Sequence, residues 1–274
     1  MSFLYRIFFS NIESDGLLHG LFGINADNGA VTPAGKFVLL LAISLLWVAA
    51  SYFLGSVNFS IIISKKKFGD DVRNHGSGNA GTSNMQRTYG NKVAALTLLG
   101  DISKGVLAVL IARIFLGTNI AYLAGTVCIF GHCFPCYFGF KGGKGVATSI
   151  AVIMTLNPFV GIVLVLVFII LVLFTRYISL GSIISALLFP FIQDRFYRIL
   201  ATDENSFSRP TFMMTACALM IAVLVVARHR QNIKNLYNRT ERKLSFKKKK
   251  SEESEPPSAP FSYHNIDKDD DKDE

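Results

Sequence analysis

The chain has 274 residues, of which 51% are hydrophobic and only 17% are charged. A soluble domain is about a quarter charged, and the hydrophobic residues here come in long runs, so the composition excludes an ordinary soluble protein and predicts an integral membrane protein. The formal net charge of +9 is not accompanied by an RNA- or DNA-binding motif, so it indicates membrane orientation and attraction to lipid headgroups, not nucleic acid.

Hydrophobic segments follow one another along the chain, and most approach the length of about 20 apolar residues that a membrane-crossing helix needs. They lie at 36–64, 92–116, 119–138, 146–156, 159–175, 177–191 and 211–227, and a polar loop is expected at 193–210. The fourth segment is short for a crossing. The sequence therefore predicts an all-α integral membrane protein with about seven transmembrane helices.

The segments divide the chain into three parts. Residues 1–35 form an N-terminal extension, 36–243 form the membrane domain, and 244–274 form a charged tail whose Ser, Glu, Pro and Asp content is typical of disorder. The apolar start of the extension is interrupted by Asn11, Glu13 and Asp15, which argues against a cleaved signal peptide.

The basic loops predict the orientation, because loops rich in Lys and Arg remain in the cytoplasm. Such residues cluster after the first segment, after the third and after the last. Alternation from these loops places the N-terminus outside and the C-terminus in the cytoplasm. The first of the three loops carries Lys65, Lys66, Lys67, Arg73, Arg87 and Lys92.

Three polar islands interrupt the hydrophobic segments, and on this orientation all three lie on the cytoplasmic face. The first island spans 73–87, the second 141–145 and the third 228–232. Glycines in the first island permit sharp turns that point several backbone N–H groups at one anion, and an arginine stands at each end. We therefore expect a phosphate-binding loop, although a connector that only needs tight turns would also contain glycines.

The second and third islands have the same kind of chemistry. Lys141 and Lys144 alternate with glycines just before a hydrophobic segment, where a helix N-terminus favours phosphate. The alternative is a lysine pair that anchors the segment at the interface. His229 and Asn232 share a face if the last helix continues, and His229 is a candidate general base or a simple hydrogen-bonding group.

Familiar nucleotide and acyltransferase motifs do not explain the islands. The run Gly76-Ser77-Gly78-Asn79-Ala80-Gly81 fits the dinucleotide pattern G-x-G-x-x-G, and Asp101 follows at a suitable spacing. That pattern has meaning only in a strand–turn–helix unit, and here it stands between membrane segments. The sequence contains neither a Walker A motif nor an H-x-x-x-x-D acyltransferase signature.

Two further pairs of residues have structural explanations at least as good as functional ones. Cys133 and Cys136 have redox-motif spacing next to His132, but they lie in a hydrophobic segment, where small apolar packing residues are the better explanation. Asp101 and Lys104 are three residues apart within the second segment, so they share a helix face and can form an interior ion pair.

In their order along the chain, the three islands resemble one family, the bacterial acylphosphate:glycerol-3-phosphate acyltransferases (the PlsY family). The resemblance covers the chain from about the first segment to Lys243. It rests on Arg73-x-x-Gly76-Ser77-Gly78-Asn79-x-Gly81-x-Ser83-Asn84, on His132-x-Phe134-Pro135 through Lys141-Gly142-Gly143-Lys144-Gly145-Val146-Ala147-Thr148, on His229-Arg230-x-Asn232-Ile233 through Glu241, and on the linking pieces Asp101-x-x-Lys104-Gly105 and Arg176-Tyr177-x-Ser179-Leu180.

The chain departs from the family pattern at a few positions. Asn58 stands where proline is frequent, and Ser83 replaces a common threonine but keeps the hydroxyl. Asn235 and Arg239 stand where arginine and glycine are common, which weakens the match at the end of the third motif.

The resemblance implies transfer of a fatty acyl group from acyl phosphate to the sn-1 hydroxyl of glycerol 3-phosphate. The products would be lysophosphatidic acid and phosphate, in the first step of phospholipid synthesis. It also implies a multi-pass protein of the cell membrane, in contact with membrane lipids and with the enzyme that makes acyl phosphate. No cofactor and no metal are expected.

The motifs also assign the site residues. The expected catalytic residues are Ser77, Asn79, His229 and Asn232. The expected substrate-binding residues are the cations, glycines and short polar residues of the motifs, namely Arg73, Gly76, Gly78, Gly81, Thr82, Ser83, Asn84, Arg87, Lys104, Lys141, Gly142, Gly143, Lys144, Gly145 and Ser179.

Two other classes of function remain open at the level of the sequence. A transporter for an organic phosphate also has polar breaks inside its membrane segments, although no internal repeat is visible here. A lipid-binding scaffold without activity is the third alternative.

Overall fold

A computed structural model of the chain describes residues 33–200 and 210–244. In this part of the chain all regular secondary structure is helical, and it includes two short 3₁₀ turns at Val72–Asn74 and Cys136–Phe138. The prediction of an all-helical protein is confirmed for these residues. The α-helices are α1 (Pro33–Ser56), α2 (Phe59–Phe68), α3 (Thr82–Tyr89), α4 (Asn91–Leu116), α5 (Thr118–Cys133), α6 (Val146–Leu156), α7 (Pro158–Thr175), α8 (Ile178–Leu200), α9 (Phe212–Arg228) and α10 (Arg230–Tyr237).

Several of these helices are suited to cross a membrane. Among the described residues, four stretches are long and apolar enough, and α9 with α10, bent by 57°, provides a fifth if the pair is counted as one span. α6 is apolar but has only 11 residues, so it is about 16 Å long against a hydrocarbon core of about 30 Å. The four stretches are Phe37–Phe68, Asn91–Leu116, Thr118–Phe138 and Pro158–Thr175.

Side-chain caps fix where helices away from the islands begin. The first hydrophobic segment breaks at Asn58, whose side-chain oxygen accepts from the backbone N–H of Ile61 at 3.3 Å and so starts α2. The Asn157-Pro158 turn works in the same way, since Asn157 caps α7 and Pro158 occupies its first turn.

Glycines allow α1 and α5 to pack closely. A Cβ atom at Gly55 would lie 2.1 Å from the carbonyl oxygen of Cys128, and one at Gly131 would lie 2.3 Å from that of Tyr52. Small residues at such crossings are typical of helices that associate within a bilayer. This contact places the end of α5, and the second island that follows it, beside the break between α1 and α2.

The structure differs from the sequence prediction at the end of α8. A polar loop is expected from residue 193, but the helix continues to Leu200. Gln193 is only 1% exposed, and its side-chain amide donates to the carbonyl oxygen of Met214 at 3.3 Å. Asp194 and Arg198 form an i,i+4 ion pair at 2.7 Å that supports the last turns.

The predicted ends of the chain fall largely outside the described residues. The structure gives no description of 1–32 or 245–274, so the proposed N-terminal extension and disordered tail stay predictions.

Candidate active site

The first island is a loop built around the side chain of Asn84. Its oxygen accepts from the backbone N–H of Ser77 at 2.9 Å, and its amide donates to the carbonyl oxygens of Val72 and His75, both at 2.9 Å. Gly76 has a φ of +58°, and a Cβ atom there would lie 2.2 Å from the Asn84 oxygen. Asn84 and Gly76, which were expected to bind substrate, therefore shape the loop.

Shaped in this way, the loop leaves polar groups exposed before α3. Ser77 and Ser83 are exposed, and the side-chain amide of Asn79 donates to the carbonyl oxygen of Ser77 at 3.2 Å. α3 begins after Gly81 without a side-chain cap, so its first N–H groups lack intrahelical partners. The hydroxyl of Thr82 is buried and has no partner among the described residues.

The glycines of the second island serve close packing. A Cβ atom at Gly142 would lie 2.0 Å from the carbonyl oxygen of His132, and one at Gly143 would lie 2.4 Å from that of Ala80. The N–H groups of these glycines donate to the carbonyl oxygens of Cys133 and His132, at 3.2 Å each. The two glycines therefore bring the second island against the first, and their N–H groups are already used.

Two arginines join the islands. Nη1 of Arg73 donates to the carbonyl oxygens of Phe138 and Lys141, each at 2.9 Å, which connects the first island to the second. The guanidinium of Arg228 donates to the carbonyl oxygens of Gly143 at 3.1 Å and Gly142 at 3.0 Å, which connects the second to the third. The expectation that the three islands come together in one place is confirmed.

The third island is organised by a carboxylate that the motifs did not assign to the site. Glu241 accepts from the Ser179 hydroxyl at 2.6 Å, from the Asn232 amide at 2.7 Å and from the Asn235 amide at 3.3 Å. Lys144 completes the network by donating from Nζ to the side-chain oxygen of Asn232 at 2.6 Å. An acidic residue alone in a basic stretch was the signal available in the sequence.

The backbone explains one departure from the family pattern in this region. Arg239 has a φ of +59°, in the left-handed region that favours glycine. The turn that contains it returns the chain so that the N–H of Glu241 donates to the carbonyl oxygen of Asn235 at 3.1 Å. Glycine would therefore suit position 239, and the arginine here retains the same turn.

Positive charge exceeds negative charge around this network. Burial lowers the pKa of Lys144 to about 8; nearby Glu241 opposes the shift, while Arg87 and Arg228 add to it. Partial burial also lowers the pKa of Arg87, and the positive charge of Arg242 lowers it further. Within the described part of the chain, cations that destabilise one another thus surround one carboxylate, Glu241, and such a group is suited to bind an anion with more than one negative charge.

His229 is held in a defined tautomer at the junction of α9 and α10. It is 2% exposed, and Nδ1 lies 2.7 Å from the carbonyl oxygen of Val225. A carbonyl oxygen can only accept, so Nδ1 carries the hydrogen and Nε2 of the neutral ring is an acceptor. The histidine therefore has one nitrogen available to receive a proton.

A buried ionic cluster lies behind the second island. Nζ of Lys104 is 3.0 Å from Oδ1 of Asp101 and 2.9 Å from Nδ1 of His132, so the expected ion pair within the helix is confirmed. The same ammonium donates to the carbonyl oxygens of Gly55 and Val57 at 3.0 and 2.9 Å. Protein atoms thus use every Lys104 hydrogen, although Lys104 was expected to bind substrate.

An apolar groove opens beside the polar site, between α6, α7, α8 and α9. Its lining includes Val146 and Ser149 of α6, Gly161 of α7, Ser182 of α8 and Val225 of α9. The lining begins at Val146, two residues after Lys144, and it includes residues within about a helical turn of Ser179 and His229. A long apolar group in the groove would therefore have its polar end at the cationic site.

Other groups contribute less to the chemistry of the site. Cys133 is buried and Cys136 is half-buried, and both are free thiols. Across 33–200 and 210–244, no group of three His, Cys, Asp or Glu side chains is placed to hold a metal ion. Ser77 and Asn79 belong to the joined islands: the side-chain amide of Asn79 donates to Ser77, and the backbone N–H of Ser77 donates to Asn84.

Fold and site together define a class: an all-helical membrane protein with a cationic anion site at the end of an apolar groove. A profile for the family described as Glycerol-3-phosphate acyltransferase matches residues 45–239. The chain therefore belongs to the glycerol-3-phosphate acyltransferase family.

Individual relatives are similar to this chain over about three quarters of its length. A glycerol-3-phosphate acyltransferase of Alkaliphilus metalliredigens (strain QYMF) is 38% identical over 205 residues, which cover 75% of this chain and 98% of the relative. Crystal structures of PlsY, an integral membrane glycerol 3-phosphate acyltransferase, are also similar. Its glycerol 3-phosphate form has a TM-score of 0.65 and 34% identity, covering 74% of this chain and 96% of that one. Its lysophosphatidic acid form has a TM-score of 0.63 and 32% identity, with coverage of 74% and 95%.

Proposed function

We propose that this chain is a membrane enzyme that transfers a fatty acyl group from acyl phosphate to the sn-1 hydroxyl of glycerol 3-phosphate. The products are lysophosphatidic acid and inorganic phosphate. The observation that carries the proposal is a cation-rich polar network around Lys144 and Glu241 whose residues stand within about one helical turn of residues that line an apolar groove. Both substrates carry phosphate and one carries an acyl chain, which matches these two surfaces.

The phosphates are bound mainly by charge in this proposal. Lys144 and Arg87 supply the cations, and the uncapped start of α3 supplies backbone N–H groups. Ser77 and Asn79 in the loop and Ser83 in the first turn of α3 contribute hydroxyl and amide donors. Arg73, Gly142 and Gly143 hold the islands together, and Asn84 with Gly76 holds the loop shape.

The reaction needs positioning and a proton acceptor. The sn-1 oxygen of glycerol 3-phosphate attacks the acyl carbonyl carbon and forms the ester bond. The bond from that carbon to the phosphate oxygen breaks, and phosphate leaves with the bonding electrons. The free Nε2 of His229 accepts the proton of the hydroxyl, or the departing phosphate accepts it directly. An acyl phosphate is already activated, so the enzyme forms no covalent intermediate and acts by orientation and electrostatic stabilisation.

We also propose the finer topology. The chain crosses the cell membrane about seven times, with the N-terminus outside and the C-terminus in the cytoplasm, because the basic islands belong on the cytoplasmic side. The polar site then faces the cytoplasm, where glycerol 3-phosphate is dissolved and where the enzyme that makes acyl phosphate can dock. Cysteine labelling of loop positions on intact cells tests this arrangement.

The decisive experiment compares acyl donors. Purified protein is given glycerol 3-phosphate with palmitoyl phosphate or, separately, with palmitoyl-CoA, and lysophosphatidic acid is measured. We expect product only from the acyl phosphate, and we expect the rate to survive EDTA. Product from the CoA ester as well would refute the donor assignment. Absence of product from either donor in folded protein would refute the function, and glycerol 3-phosphate flux into proteoliposomes would then be measured to test a transporter.

A further inference from the structure

The groove contains a buried hydroxyl that has no partner. Ser149 is 6% exposed, it lines the groove, and its Oγ atom is fully buried without a hydrogen-bond partner among the described residues. A buried hydroxyl without a hydrogen bond is costly, so each one in a folded protein requires an explanation. A ligand that occupies the groove would provide the missing partner.

The other serines of the groove differ from Ser149. The hydroxyl of Ser182 donates to the carbonyl oxygen of Ile178 at 2.9 Å, and that of Ser185 donates to the carbonyl oxygen of Leu164 at 3.3 Å. A serine inside a helix usually finds such a backbone acceptor. Ser149 therefore differs from Ser182 and Ser185, because its hydroxyl has no hydrogen bond to the described residues.

The position of Ser149 suggests what the hydroxyl binds. Gly145 precedes α6 directly, and a Cβ atom there would lie 3.9 Å from Oγ of Ser149. Lys144 stands just before that glycine, so the Ser149 hydroxyl lies near the start of α6, beside the residue that follows the lysine of the cationic site. In an acyl phosphate the carbonyl group joins the phosphate to the hydrocarbon chain. With phosphate at Lys144 and the chain in the groove, the carbonyl group lies next to Ser149.

Thr148 gives a useful contrast. Its hydroxyl is also buried without a partner among the described residues, but its methyl group faces Gly105 of α4, where a Cβ atom would lie 3.4 Å away. Thr148 does not line the groove. Of the two adjacent hydroxyls, Ser149 is the one placed to meet an acyl group.

We propose that the Ser149 hydroxyl donates a hydrogen bond to the carbonyl oxygen of the bound acyl group. It remains bonded to that oxygen as negative charge develops during transfer, and then to the ester carbonyl of the product. Ser149 is thus an additional catalytic residue, and it forms no covalent bond. This inference rests on the proposed function, because it requires an acyl donor in the groove.

The test combines kinetics, stability and infrared spectroscopy on the full chain in detergent or lipid. Ser149→Ala should lower kcat with palmitoyl phosphate about 100-fold or more, because a donor to the developing oxyanion is lost. The KM for glycerol 3-phosphate should remain within about twofold. The melting temperature should be unchanged or raised, because a buried hydroxyl without a partner has been removed. A structural role for the hydroxyl would lower it instead.

The control is Ser44→Ala. Ser44 is 3% exposed and also has a buried hydroxyl without a partner among the described residues, but it lies in α1 and outside the groove. This variant should retain kcat within about twofold. Ser149→Cys, which keeps the size of the side chain and weakens the donor, should fall between wild type and alanine, and it keeps the test valid if the alanine variant misfolds.

Infrared spectroscopy reports the hydrogen bond directly. Lysophosphatidic acid labelled with ¹³C at its carbonyl should absorb at a lower frequency when bound to wild-type protein or Ser44→Ala than when bound to Ser149→Ala. An unchanged frequency together with wild-type kcat in Ser149→Ala would overturn this inference. Wild-type turnover of palmitoyl phosphate in that case would leave the proposed function intact. Failure of wild-type turnover would instead refute the proposed function, while the infrared comparison would still decide whether Ser149 binds the product.

Discussion

Two regions of the molecule contain the same three kinds of side chain, and they use them differently. The buried cluster contains Lys104, His132 and Asp101, and the polar site contains Lys144, His229 and Glu241. In the buried cluster, charges are balanced and the ammonium has only protein partners, at 2.9–3.0 Å. In the polar site, Arg87, Arg228 and Arg242 add positive charge, and Nε2 of His229 has no hydrogen bond to the residues that the structure describes.

The difference shows which features separate a supporting ion cluster from a ligand site in a membrane protein. Burying the charge of a lysine costs free energy. In both regions a nearby acidic residue and hydrogen-bond acceptors offset that cost. In the buried cluster the charge of Lys104 is matched by that of Asp101, whereas the polar site keeps surplus charge that an anion neutralises. The two regions meet at Gly143, where a Cβ atom would lie 2.2 Å from Nε2 of His132.

The largest expected effect is loss of stability when Lys104 is replaced by methionine. Asp101 would then be a buried charge without its cation, which costs about 3–5 kcal/mol in comparable buried pairs. Thermal unfolding can be followed through Trp47, the single tryptophan of the chain, whose Nε1 donates to the carbonyl oxygen of Ala108 at 3.1 Å in the same helix as Lys104.

The matched control adds Asp101→Asn to Lys104→Met. Removing both charges should restore most of the stability, because a pair replaced by neutral groups leaves no unpaired ion. If Lys104→Met alone unfolded at the wild-type temperature, the buried cluster would not support the fold.

Replacement of Lys144 should have the opposite pattern. Lys144→Gln removes the cation that contacts Asn232 at 2.6 Å, and we expect kcat/KM for acyl transfer to fall about 100-fold or more, as for other lost electrostatic contacts to a reacting group. The melting temperature should change little, because the side chain is only half-buried and its removal loses the attraction of Glu241 but also relieves the repulsion from Arg87 and Arg228.

Lys92→Gln serves as the control for Lys144→Gln, since Lys92 is exposed at the start of α4. It should retain wild-type kcat/KM. Equal losses in the two variants would indicate an effect of overall charge, and would contradict a specific role for Lys144.

Gly143→Ala tests the boundary between the two regions. The added methyl group would overlap both the His132 ring and the carbonyl group of Ala80, and such overpacking costs about 1–3 kcal/mol. We expect lower stability together with a raised KM for glycerol 3-phosphate, because the first and second islands would move apart. Wild-type values for both quantities would mean that the loop shifts without consequence.

The amino-acid sequence is sufficient to predict the features that depend on composition and pattern. Runs of apolar residues predict the helices, the Asn157-Pro158 pair predicts the start of α7, and the spacing of Asp101 and Lys104 predicts their ion pair. The three islands are expected to form one site because their chemistry is alike, and they do meet.

The individual roles within the islands could not be predicted, because they depend on which hydrogen bonds the fold satisfies. Nothing in the residue types shows that the amide of Asn84 is used by Val72 and His75, or that Arg73 binds backbone carbonyls. Glu241 marks only the end of a motif in the sequence, and its role appears when Ser179 and Asn232 approach it from other helices. Ser149 is recognised as a candidate only in the structure, because it lines the groove and its hydroxyl has no hydrogen-bond partner among the described residues.

The final prediction concerns how the activity of the polar site depends on pH. Burial lowers the pKa of Lys144 to about 8, so the side chain is charged below that pH and neutral above it. Phosphate monoesters, with a second pKa near 6, are already dianions there. We expect kcat/KM to be constant from about pH 7 to 8 and to fall about tenfold per pH unit above, since this ratio reports ionisations of the free enzyme. Lys144→Arg should remove the decline, because arginine stays charged throughout this range. A decline near pH 8 that persists in Lys144→Arg would assign the ionisation to another group and would weaken the contrast with Lys104.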